Sequence, residues 1–294
     1  VSTLEPTRRV VLVDGVPMSG LVARAPEPRA VIIALHGGAT SSAYFDCPGQ
    51  PHLSLLRSAV GQGFSVIALD RPGYGASGLY ADRFSDAAQR VAFAFDAADK
   101  ILADGRRGAG LFLVGHSAGC ELALRMAISR DEIIGIELAG TGLRYSPTAE
   151  DVISEATLTS RPAGLRNLLW QPTELYPENV LTGSLSAPGA AYESEVTANW
   201  PRRDFPAAAA QLTVPVQFSV AEHENVWETT PESLAAITAL FTTSPRVTVN
   251  EIPDSGHNLS VGRSADEYHR TVLSFIEECI AAVRGRDTEQ VEAS

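Results

Sequence analysis

Short apolar runs alternate with stretches of helical spacing along most of the chain. "AVIIALHG" (30–37), "FSVIALD" (64–70), "GLFLVGHS" (110–117) and "IIGIELAG" (133–140) are seven or eight residues each, rich in Val, Ile, Leu and Phe. Continuous runs of this kind, without polar alternation, suit strands buried on both faces of a parallel sheet. Between them, 83–104 sets Val91, Phe93, Phe95, Ala98 and Leu102 at helical intervals, and 118–130 does the same with Leu122, Leu124 and Met126. After a gap the alternation resumes: "VPVQFSVA" (214–221) as strand, a helix near 231–242, "RVTVNEIP" (246–253) as strand, and a final helix over 265–284 before a polar tail expected to fray. At the other end, "RRVVLVDGVPMSGLVARA" predicts an antiparallel hairpin around the Asp14-Gly15 turn. The expected architecture is α/β: a doubly wound, mostly parallel sheet with helices on both faces, and with its chemistry at the carboxyl ends of the strands.

The gap is informative. From Leu143 to Phe205 the chain scatters Pro, Gly, Ser, Thr and acids around Trp170, Tyr176, Tyr192 and Trp200, with no long apolar run. So long a segment exceeds a plain loop in a compact domain. It predicts an inserted, mostly helical cap subdomain over 143–205, with the core formed by 1–142 and 206–294. A cap would roof the site, and Ala39, Trp170, Tyr176, Tyr192 and Trp200 are its expected pocket-lining residues.

Composition narrows the function. With 294 residues, 45% hydrophobic and 20% charged, the chain is that of an ordinary globular protein. A formal net charge of −12 argues against a nucleic-acid surface, which needs Lys and Arg for phosphates. Cys47, Cys120 and Cys279 are an odd number at wide spacing, which fits a reducing compartment and no disulfide framework. No apolar run approaches the ~20 residues of a membrane span, and the first residues lack the apolar centre of a secretion signal. The expected setting is the cytoplasm, with no membrane or nucleic-acid partner.

"GHSAG" (115–119) fits G-x-S-x-G, directly after a strand and before a helix. In that setting the serine sits on a sharp turn, exposed for attack, and the following helix N-terminus offers backbone N–H groups to a developing oxyanion. Ser117 is therefore the expected nucleophile. "HGGATSS" (36–42) follows the first parallel strand, and its paired glycines let backbone approach a substrate oxygen. The N–H of Gly38 or Ala39 is expected to complete an oxyanion hole with that of Ala118. "GYGASG" (73–78) matches G-x-G-x-x-G literally, but no helix starts at once and no later strand ends in the acid a ribose would need. A dinucleotide site is not expected.

"LHGG", "LDRPGYGAS", "LVGHSAG", "AEHE" and "DSGHNL", in this order and spacing, resemble the α/β-hydrolase superfamily over nearly the whole chain. The resemblance implies a triad in chain order Ser, acid, His, and a cap after the sixth strand. Of six histidines, it places the base at His257, in the loop after the last strand. His36 and His116 fall in turn motifs, where they brace backbone; His52 and His269 fall on predicted helices as surface or half-buried residues. For the acid, the matching position in A-E-H-E is Glu224, where the family usually has aspartate. Glu222 is expected to face away, and Asp254 is the main competitor. A metal at Glu222-His223-Glu224 is disfavoured because adjacent residues do not converge on one ion.

The resemblance thus implies acyl transfer to water from an ester or thioester of a small to medium organic substrate, without metal or cofactor. A serine nucleophile argues against the aspartate-dependent dehalogenases and epoxide hydrolases of this fold. Lyase, carbon–carbon hydrolase or acyltransferase chemistry could use the same triad, and a non-catalytic small-ligand binder is the alternative of another class.

Overall fold

The computed structural model describes residues 5–103, 105–154 and 163–292. Eight strands form one sheet in the order β1-β2-β4-β3-β5-β6-β7-β8. They are β1 (Thr7–Val13), β2 (Val16–Ala23), β3 (Val31–Leu35), β4 (Ser65–Leu69), β5 (Leu111–His116), β6 (Ile133–Ala139), β7 (Val216–His223) and β8 (Val247–Gly256). β1 and β2 pair as the expected hairpin, and β2 runs antiparallel to β4. All pairings from β4 through β3, β5, β6 and β7 to β8 are parallel. Asp14 and Gly15 both take positive φ (47° and 77°), the backbone a two-residue turn requires between right-twisted strands.

The four apolar runs become β3, β4, β5 and β6, and every residue of these strands is buried. Their side chains alternate between two apolar layers. One layer packs Ile33, Leu35, Leu113 and Ile136 against helices α2 (Ala87–Leu102) and α3 (Gly119–Ala127). The other packs Ile32, Ala34, Phe112 and Val114 against α1 (Leu55–Gly61) and a long C-terminal helix. That helix runs from Ala265 to Glu292, further than the sequence pattern predicts, so the polar tail continues the helix instead of fraying at Arg284. Residues 293 and 294 lie outside the described residues.

Between β6 and β7 the described chain forms α4 (Pro147–Ser154), α5 (Ala163–Trp170), α6 (Glu178–Leu181), α7 (Glu193–Asn199) and α8 (Phe205–Ala209), joined by 3-10 and π turns, with no named strand. Residues 155–162 of this excursion lie outside the described residues. Its helices α4 and α5 close a small apolar cluster of Ala149 and Leu168 with Val226 and Trp227. Tyr145 stacks on Trp227 at 4.4 Å, which ties the excursion to the loop after β7. The chain re-enters the sheet as β7; α9 (Pro231–Thr238) then leads to β8, and the long helix, here α10, follows β8. Among the described residues no helix is long and apolar enough to cross a membrane.

Candidate active site

The turn after β5 holds Ser117 at φ 52°, a left-handed conformation that costs a non-glycine residue roughly 1–2 kcal/mol. The surroundings enforce it. Ser117 N–H donates to the Ala139 carbonyl at 2.8 Å, and its own carbonyl accepts from Cys120 N–H at 2.9 Å. Gly115 and Gly119 are required by close approach. A Cβ on Gly119 would lie 2.2 Å from the Leu35 carbonyl oxygen, and one on Gly115 2.8 Å from Cys120 Cα.

β7 and β8 deliver the other two groups. His257 Nε2 lies 3.2 Å from Ser117 Oγ, and His257 Nδ1 lies 3.0 Å from both carboxylate oxygens of Glu224. Glu224 and His257 side chains are 2% and 1% exposed, so water screens this contact little. Glu224 Oε1 also accepts the Val226 N–H at 2.8 Å, which fixes the carboxylate in the loop. Glu222 does something else: its Oε2 accepts the Asp254 N–H at 2.8 Å and braces the end of β8. The three neighbours 222–224 therefore do not converge on a point. Among the described residues no group of three or more His, Cys, Asp or Glu side chains could hold a metal ion.

The loop carrying His257 is anchored from the excursion at two places. Asn258 N–H donates to Tyr176 Oη at 3.2 Å, and Asn258 Nδ2 donates to the Leu169 carbonyl at 2.7 Å. His116, next to Ser117, donates through Nε2–H to the His257 carbonyl, 2.9 Å away, and stacks on Tyr44 at 4.4 Å. Burial, and then the neighbouring His257, hold the His116 pKa well below the usual histidine value. His116 is therefore neutral at physiological pH, and its Nε2–H donates. His36 accepts the Arg71 N–H at Nε2 (3.1 Å), and burial pushes its pKa down to about 3. Both act as backbone braces. His269 departs from the sequence expectation: it is fully buried on α10, and neither ring nitrogen has a partner among the described residues.

Gly37 and Gly38 run past the serine turn; a Cβ on Gly37 would lie 3.2 Å from Ser117 Cβ, and one on Gly38 3.9 Å from Ala118 Cβ. Among the described residues the Gly38 and Ala118 N–H groups have no hydrogen-bond partner. Ala39 N–H is taken, donating to Tyr74 Oη at 3.1 Å. Of the two donors offered by the glycine turn, only Gly38 is free.

A cavity of about 800 Å³ opens above Ser117 and His257. Gly38, Ala39, Tyr44 and Asn258 contribute to its floor and side, and the excursion supplies Leu165, Leu169, Trp170, Val180, Leu181 and Leu185. Of the expected lining residues, Ala39 and Trp170 face this cavity; three others require correction. Tyr176 packs edge-on against Trp170 at 5.1 Å and spends its hydroxyl on the His257 loop. Tyr192 donates to the Pro72 carbonyl at 2.8 Å with the Arg90 guanidinium over its ring. Trp200 donates to Thr141 Oγ1 at 2.8 Å and stacks on Phe205. Each polar tip is taken by a buried partner, which is why these rings pack and do not line the cavity. The aliphatic side chains that line it carry no distinguishing sequence signal. Tyr44 and Asn258 had one, being next to "HGG" and "GH" motifs in space or in sequence.

A family model described as the alpha/beta hydrolase family matches residues 32–271. The chain belongs to the alpha/beta hydrolase family. Three solved structures illustrate the likeness. An N-acyl homoserine lactonase superposes with a TM-score of 0.68 at 16% identity, covering 94% of this chain and 98% of that one. A carboxyl esterase from Bacillus coagulans gives 0.64 at 16%, covering 95% and 100%. A monoacylglycerol lipase from Paleococcus ferrophilus gives 0.58 at 19%, covering 94% and 99%. At these identities the likeness is one of fold. No curated protein matches the sequence.

Proposed function

We propose that this hydrolase cleaves an ester or thioester of a small to medium organic substrate through an acyl-enzyme on Ser117. One observation carries the reading: Ser117 Oγ, His257 and Glu224 form an unbroken hydrogen-bonded line at the base of a largely apolar cavity. In this reading Ser117 Oγ attacks the carbonyl carbon and its proton passes to His257 Nε2. Glu224 holds the Nδ1 proton, fixes the tautomer and stabilises the imidazolium. The carbonyl π electrons move to oxygen, which takes hydrogen bonds from Gly38 and Ala118 N–H. The adduct collapses, the alcohol or thiol leaves with the proton from His257, and water repeats the sequence to release the acid. The chemistry needs neither metal nor cofactor.

The excursion over 143–205 acts as the cap, and the core is 1–142 with 206–294. Its aliphatic wall suits an acyl chain of several carbons. The cytoplasm is the setting in keeping with the buried Cys47 and Cys120, which form no disulfide. The test is labelling by a fluorophosphonate together with turnover of a short-chain p-nitrophenyl ester. Stoichiometric labelling at Ser117 with steady turnover supports hydrolysis. Labelling without turnover, or neither, sinks it in favour of lyase chemistry, acyl transfer to another acceptor, or ligand binding alone.

A further inference from the structure

Two hydrogen-bond chains run outward from either side of Gly38 and end on the same carboxylate. On one side the Gly37 carbonyl accepts from Arg71 Nη2 at 3.0 Å, and the same Nη2 pairs with Glu193 Oε1. On the other side Ala39 N–H donates to Tyr74 Oη at 3.1 Å, and the tyrosine hydroxyl donates to Glu193 Oε2 at 2.5 Å. Arg71 and Tyr74 are 1% and 2% exposed, and the guanidinium lies over the tyrosine ring at 4.8 Å. Both come from the turn after β4. Glu193 does not: it is the first residue of α7, in the cap. Its Oε2 lies 3.4 Å from where a Cβ on residue 38 would stand.

The arrangement leaves the Gly38 N–H without a partner among the described residues, while the carbonyl before it and the N–H after it are clamped. Ala39, held at φ 55°, is a position where the chain would relax if released. An oxyanion donor works only when aimed to within about half an ångström. A carboxylate so near a developing negative charge would oppose it, but Arg71 shares the carboxylate and offsets that field.

We propose that Glu193 is a positioning residue that couples the seating of the cap to a working oxyanion hole. With the cap in place, Glu193 accepts from Arg71 and Tyr74 together and fixes Gly37–Ala39 so that Gly38 N–H faces the reacting carbonyl. With Glu193 withdrawn, two buried donors lose their shared acceptor and the Gly38 donor loses its aim. The inference rests on the hydrolytic reading above.

The test uses E193Q, Y74F and the double variant in the full chain, with turnover of a short-chain p-nitrophenyl ester expressed per fluorophosphonate-titrated site. Both single substitutions keep side-chain volume. Glutamine offers one acceptor oxygen to two donors, and phenylalanine removes the link to Ala39. Each is expected to lower kcat by about 10-fold or more with KM within two-fold, as for an interaction that acts in the transition state. The double variant should be no slower than the slower single, because both act through one chain. Inhibition by a boronic acid, whose tetrahedral adduct occupies the oxyanion hole, should weaken in step with kcat. Unchanged kcat per titrated site, a loss carried by KM, or multiplying losses in the double variant would each overturn the coupling. If the wild type is active and the variants match it, only this inference fails; an inert, unlabelled wild type removes the hydrolytic reading and this inference with it.

Discussion

Glu224 approaches His257 Nδ1 symmetrically, with both carboxylate oxygens at 3.0 Å. The longer glutamate side chain reaches the imidazole broadside, and a bond from Val226 N–H holds it there. An amide at this position offers one oxygen and one NH2 group in place of two equal acceptors. Glu224→Gln is expected to lower kcat by up to ~10⁴ through loss of the imidazolium partner and a disfavoured tautomer. Glu222→Gln should change kcat a few-fold at most, because among the described residues the Glu222 carboxylate bonds only the Asp254 N–H. Steady-state kinetics on both variants decide this; a reversed order would move the acid to Glu222.

Ser117→Ala should abolish both ester turnover and fluorophosphonate labelling while the circular dichroism spectrum and melting temperature stay close to wild type. Alanine keeps the Cβ and the strained backbone, so only the nucleophilic oxygen is lost. Retained turnover would place the nucleophile elsewhere.

Tyr176→Phe removes the acceptor of the Asn258 N–H, beside His257. The buried N–H is then unsatisfied, at a cost of about 1–3 kcal/mol measured by urea unfolding. Since that N–H belongs to the residue after the base, kcat should fall with stability. A variant as stable and as active as the wild type would show that the hydrogen bond is dispensable.

The stability of the fold should depend on pH through buried groups outside the Ser117–His257–Glu224 line. Burial in the sheet centre pushes Glu137 up to about 8 from 4.5, despite a bond from Tyr268 at 3.2 Å. Between those values the folded chain holds a proton that the unfolded chain has released. Stability therefore falls as pH rises through this window, by at most about 1.4 kcal/mol per unit. Glu137→Gln should flatten that slope and raise the melting temperature at pH 8 relative to wild type. The opposite limb comes from His36 and His269, which burial pushes down to about 3 from 6.5. They stay neutral while the unfolded chain protonates, so stability falls as pH drops below 6.5. Melting curves from pH 4 to 9 test both slopes.

Arg166 is the one side chain with a fixed charge among the described residues lining the active-site cavity. An ester carrying a carboxylate at the far end of its chain should be favoured over a neutral ester of equal length. The expected preference in kcat/KM is roughly 3- to 10-fold at low salt, screened at high salt, and lost in Arg166→Gln. Equal preference in the variant and the wild type would remove Arg166 from substrate recognition.

The sheet was legible because its strands are uninterrupted apolar runs, and burial on both faces leaves no other place for "VIIAL" or "LFLVGH". Ser117 was legible because it follows a strand whose end the pattern marks, and Glu224 and His257 through the resemblance, which puts the acid and the base in the loops after the last two strands. The interior of the excursion was not. Whether Trp200 lines a cavity or stacks on Phe205 depends on how short helices settle against the sheet, which spacing along the chain does not encode. The pair Arg71 and Glu193 joins residues 122 positions apart, and nothing local to "DRPGYG" announces a carboxylate arriving from the cap. His269 departs from expectation for the same reason: a polar residue on an amphipathic helix is usually outside, and here the helix turns it inward.

β8 is an edge strand of the sheet, paired with β7 alone, and it leads directly into His257. Ser117, by contrast, sits at the end of a strand flanked on both sides. The proposed general base therefore rides on the margin of the sheet while the proposed nucleophile is lodged in its middle. Margins open at lower free energy than centres. On heating, the enzyme should go silent before it melts: the rate vanishes when the β8 edge peels back, while the central strands still give a native spectrum. Cooling from that interval should restore activity without refolding, which would make brief heat a reversible off-state for this hydrolase and not its denaturation.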